Sequence, residues 1–61
     1  MNKTIPKYHA AALILAARLN NTPKHVLYRQ LYQYATQQKH LGNEQAYHEV
    51  MFIYWATIKT A

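Results

Sequence analysis

Apolar residues return every three or four positions in three stretches of the chain, and short polar segments part the stretches, which is the signature of three amphipathic helices. The middle stretch is the plainest. Leu27, Leu31, Tyr34, Ala35, Gln38 and Leu41 share one side, while His25, Arg29, Gln33, Thr36 and His40 share the other, so one side packs and the other meets water. Tyr28 and Tyr32 lie on the shoulder between them.

The outer two stretches carry more apolar surface than two neighbours can cover. In the first, Tyr8, Ala11, Ala12, Leu15 and Leu19 form the stripe expected to face the core, and Ala10, Leu13, Ile14 and Ala17 form a second apolar stripe beyond it. A helix that is apolar all round is buried all round, so the second stripe is expected to be the seam of a homodimer. In the third, Tyr47, Val50, Met51, Tyr54 and Ile58 make the core stripe. Phe52, Ile53 and Ala56 then have no evident place in the core of one chain. His48, Phe52, Trp55 and Lys59 recur at three- and four-residue steps and form a continuous strip suited to a partner protein, since a few aromatic anchors beside a cation carry most of the energy of an interface.

Helix signals fix the boundaries. Pro6 fits a first helical turn with Thr4 as cap, and Asn21-Thr22-Pro23 reads as the same device, with Thr22 capping a second helix. Gly42 stops that helix as a left-handed residue, Asn43 caps the third, and Glu44 suits its positive N-terminal end. The expected fold is all-α: one domain over residues 1–61, a small three-helix bundle with helices at about 5–20, 23–40 and 44–60, completed by homodimerisation. A core below about 70–80 residues seldom holds alone, and without cysteine a second copy of the chain is the natural staple.

Composition removes most chemistry. The 61 residues include no Ser, Cys or Asp, and the two acids, Glu44 and Glu49, diverge by about 140° on a helix, so neither a nucleophilic triad nor a carboxylate pair assembles. One glycine cannot build a phosphate-binding loop. The chain is therefore read as not an enzyme and as needing no cofactor. Glu44 and His48, with His40 as a distant third, have metal-like spacing, but Gly42 breaks the helix between them and no metal site is expected.

Charge supplies a second reading. A net charge of +5 favours acidic partners, nucleic acid among them, although the basic residues are dispersed from Lys3 to Lys59 and form no run. The best strip for phosphates or bases is His25, Arg29, Tyr32, Lys39 and His40 on helix 2. The longest apolar run, residues 10–17, is too short to span a bilayer, and Arg18 stands where a leader peptide would place a small residue, so the expectation is a cytoplasmic protein without membrane attachment. Two functions are carried forward. The first is a non-enzymatic regulator or inhibitor that binds a larger protein, a type that phages and plasmids encode at this size; the second is a basic, dimeric nucleic-acid-binding regulator.

Overall fold

The backbone groups left over at helix ends determine where each helix begins and stops. The structure, a computed structural model, describes residues 5–60. They form α1 (Pro6–Leu19), α2 (Lys24–His40) and α3 (Glu44–Thr60), the three helices expected, with no strand among the described residues. Ile5 occupies the cap position of α1, and its carbonyl accepts the N–H groups of Tyr8 and His9, both at 2.9 Å. The expected cap, Thr4, lies outside the described residues.

The first connection corrects the sequence reading. Asn21 is left-handed, with φ 54°, and the N–H groups of Thr22 and Asn21 donate back to Ala17 and Arg18 at 2.8 and 3.3 Å. Asn21 and Thr22 therefore close α1 in a Schellman motif instead of opening α2. Pro23, extended at ψ 144°, takes the cap position of α2, and its carbonyl accepts Val26 and Leu27; no side chain caps that helix. At the second connection Gly42 adopts φ 82° as expected, and Gly42 and Asn43 donate to Lys39 and Gln38 at 3.0 and 2.9 Å. Asn43 then starts α3, with Oδ1 accepting the Ala46 N–H at 3.3 Å and the carbonyl accepting that of Tyr47 at 3.1 Å.

These tight links stack the helices in alternating directions, so α1 and α3 run parallel on the same side of α2. Ile5 and Pro6 accordingly share a hollow with Gln45 and Glu49, and Arg18 lies at the level of Thr57 and Thr60. Helices α2 and α3 make the most extensive pairing, and α1 is held less closely by each. The buried core is small: Ala10, Ala17, Leu27, Leu31, Ala35, Ala46 and Val50, of which Leu31 and Val50 are the largest side chains completely shielded from solvent. Leu13, Ile14, Tyr28, Tyr34, Tyr47, Met51, Ile53 and Tyr54 pack around it, half-buried.

Helix α1 presents the face opposite to the one expected. Ala10 and Ala17 are buried and Leu13 and Ile14 pack on the core, whereas Tyr8, Leu15 and Leu19 are 63%, 57% and 75% exposed and Ala11 and Ala12 are open to solvent. The stripe read as a dimer seam, Ala10, Leu13, Ile14 and Ala17, is thus the inner face of the monomer. The cause is the room available: Ala10 and Ala17 let the backbone of α1 approach α2 and α3 closely, and Leu13 and Ile14 pack beside that contact. Two smaller corrections follow the same geometry. Ile53 packs against the core, and Leu41, expected on the packed face of α2, sits in the turn after its last residue and is largely exposed.

Candidate binding surface

Val50 points into the core, so residues half a turn away on α3 must point out. His48, Phe52, Trp55 and Lys59 occupy that outer side, and all four are exposed, Phe52 at 75% and Trp55 at 54%. The strip expected from the spacing therefore exists as one surface. Its rings have backing: Tyr54 meets Trp55 edge-on with centroids 5.3 Å apart, and Tyr47 meets His48 in the same manner at 5.3 Å. Tyr47 and Tyr54 are themselves packed on the core, so the outer rings stand on a supported layer.

The parallel run of α1 and α3 adds one residue, Lys7, that the spacing along α3 does not reveal. Lys7 from α1 joins His48, Glu49, Phe52 and Ile53 around a shallow hollow of about 390 Å³, walled almost wholly by carbon. The Lys7 ammonium lies 5.6 Å from the centre of the Tyr8 ring. Connections too short to let α1 cross α3 were the available signal, since they imply that Lys7 and Glu49 come level.

The alternative strip on α2 is also open. His25, Arg29, Tyr32, Lys39 and His40 are all exposed along one band of the helix. Two of them are already occupied, however. The Lys39 ammonium sits 5.0 Å over the Tyr47 ring, and the Tyr32 ring lies 6.0 Å from that of Tyr54. Tyr54 thus touches Tyr28, Tyr32 and Trp55, so the α2 and α3 strips meet at one half-buried ring. A separate aromatic contact joins α1 to α2, where the His9 and Tyr34 rings stack at 4.1 Å and 31°, and burial holds the Tyr34 hydroxyl above its ordinary pKa.

Among the described residues no three His, Cys, Asp or Glu side chains gather where a metal could bind, and no helix is long and apolar enough to cross a membrane. Glu44, His48 and His40 are not brought together as such a group. The chain matches no protein-family model, no curated protein and no solved structure.

Proposed function

We propose that this chain is a small helical binding protein that regulates or inhibits a larger protein by docking the strip His48, Phe52, Trp55 and Lys59 of α3. The observation that carries the reading is the outward placement of the only Phe and the only Trp of the sequence, side by side on a rigid helix. Large aromatic side chains that add little to the core of their own chain are the usual anchors of a hot spot. Lys59 and His48 flank them, and the chain carries +5, so the complementary site is an apolar cleft with an acidic rim. Association is then accelerated at low salt and slowed as charge is screened.

The test is recovery of a partner from the cell of origin with wild-type and Phe52→Ala baits, with and without nuclease. One nuclease-resistant protein that the wild type captures and Phe52→Ala loses, at unchanged melting temperature, supports the reading. Equal capture by both baits removes the strip from it.

The nucleic-acid reading keeps one observation in its favour, the exposure of His25, Arg29, Tyr32, Lys39 and His40 along one band. On that reading each neutralised phosphate releases a counterion, affinity falls steeply with salt, and Arg29→Ala flattens the slope. Absence of binding to any oligonucleotide at about 50 mM salt retires it.

A further inference from the structure

The outward stripe of α1 has the spacing of a coiled-coil seam. Ile5, Tyr8, Ala12, Leu15 and Leu19 follow one another at steps of three, four, three and four residues, the a and d positions of successive heptads, and all five are exposed. The buried Ala10 and Ala17 fall at the heptad position diametrically opposite, so the inner and outer faces of α1 are two separate seams. We infer that the outer one binds a second copy of this chain, with the two α1 helices antiparallel about a two-fold axis at Ala12.

Three observations select that occupant. First, the stripe is its own complement when reversed. Turning one copy about Ala12 sets Ala12 against Ala12, Ile5 against Leu19, and Tyr8 against Leu15 and Ala16, so small residues meet at the axis and large ones interlock on either side. A parallel pairing would also set Ala12 against Ala12, but it would put Tyr8 against Tyr8 and Leu15 against Leu15, large residue against its own kind.

Second, charge separates correctly. The two Arg18 side chains, which border the seam, would lie side by side in a parallel pair. In the antiparallel one they stand about 18 Å apart along the axis, twelve residues at 1.5 Å each, beyond the roughly 8 Å over which exposed charges act at physiological salt. No acidic side chain lies on the stripe to call for a basic partner.

Third, the stripe carries large apolar side chains left open to solvent: Ile5, Tyr8, Leu15 and Leu19 are 46%, 63%, 57% and 75% exposed. A second copy laid on the same stripe removes that surface from water in both chains at once. The chain also needs a staple: its shielded large side chains are Leu31 and Val50, and it has no cysteine to form a disulfide.

Sedimentation equilibrium of the full chain from about 1 to 200 µM tests the inference, together with three variants. The expected mass rises toward twice the 7.2 kDa of the chain. Leu15→Glu, at a site more than half exposed in the monomer, should lower it to that of one chain, and Phe52→Ala should leave the dimer intact. Because the sequence has no cysteine, a single introduced thiol reports one distance: Ala12→Cys should form a disulfide-linked dimer on mild oxidation, and Leu19→Cys should not. Should Leu15→Glu unfold the chain, the two cysteine variants still decide the matter. A mass of one chain throughout the range overturns the inference, as does a dimer that Leu15→Glu leaves unchanged. Crosslinking through Leu19→Cys in preference to Ala12→Cys overturns the antiparallel pairing.

Discussion

The two faces of α1 divide their work against the usual expectation, with Ala10 and Ala17 deepest, Leu13 and Ile14 half-buried beside them, and Tyr8, Leu15 and Leu19 outside. Helices α2 and α3 bury large residues too, setting Leu27, Leu31 and Val50 beside Ala35 and Ala46 and ringing them with tyrosines. The difference lies in what each pairing needs. Between α2 and α3 Leu27, Leu31 and Val50 fill the space between two antiparallel helices, while α1 meets α2 at Tyr34, 4.1 Å from the His9 ring, and comes level with Glu49, Ile53 and Thr57 of α3. Depth there goes to the smallest residue, because the closest backbone approach gives the densest packing. Apolar size therefore mispredicts burial on α1, as it does for the exposed Phe52 and Trp55 of α3, and in both helices the buried positions go to residues that let the backbones approach.

The largest effect should come from the floor of the groove between α2 and α3. Leu31 is fully buried, so Leu31→Ala loses its transfer energy and leaves a cavity, at a cost of about 2–5 kcal/mol. A core this small supplies about 3–5 kcal/mol, so urea denaturation should find this variant marginally stable or unfolded. A loss below about 1 kcal/mol would mean that the groove collapses onto the gap and that α1 is not seated in a rigid slot.

The comparison of faces is sharpest in a matched pair. Ala10→Leu forces three carbons into a site with no exposure and should destabilise by about 1–3 kcal/mol. Leu15→Ala removes the same atoms from a side chain that is 57% exposed and should cost within about 0.5 kcal/mol, measured at concentrations where the chain is monomeric. Reversal of that order would restore Tyr8, Leu15 and Leu19 as the inner stripe.

How much was legible follows from this pair. Helix number, the Gly42 stop, the Asn43 cap and the outward strip of α3 were all readable, because each depends on local geometry or on one period. The orientation of α1 was not. Both its stripes have helical spacing, and the choice between them depends on the width of a groove made by other residues. The role of Asn21-Thr22-Pro23 was hidden for a related reason: left-handed Asn and a capping Thr look alike until the hydrogen bonds are placed. Lys7 joined the α3 hollow only through tertiary structure.

The two chain reversals make a smaller comparison of the same kind. Gly42 and Asn21 hold equivalent left-handed positions, one with the residue that carries no steric penalty there and one with a residue that tolerates it. A Cβ on Gly42 would meet no atom within 4 Å, so Gly42→Ala should cost only the backbone strain, about 1–2 kcal/mol. Asn21→Gly should be neutral or slightly stabilising at the folded end. Thermal melts separate the cases, since each kcal/mol shifts a domain of this size by about 4–8 °C. An unchanged melting temperature for Gly42→Ala would show that the Schellman closure between α2 and α3 is dispensable.

The smallest effect tests how closely α1 is seated on α2. Tyr34 lies beneath His9 with the rings 4.1 Å apart, and its burial raises the hydroxyl pKa above 10.0. The sign follows from proton counting. Below about pH 10 folded and unfolded chains both keep the proton, so the full contribution of the neutral side chain to stability is present. As pH rises past that value the unfolded chain releases the proton first, the folded chain must either hold it or bury a phenolate, and stability falls through the raised folded pKa. Wild type should therefore lose more stability than Tyr34→Phe between pH 9 and pH 11 in paired urea titrations, while the two change in parallel between pH 7 and pH 9. The titrations of the other tyrosines and the lysines are common to both chains and drop out of the difference. If α1 instead lifted away from α2, Tyr34 would be as wet as an unfolded tyrosine, and the two curves would run parallel through the whole alkaline range.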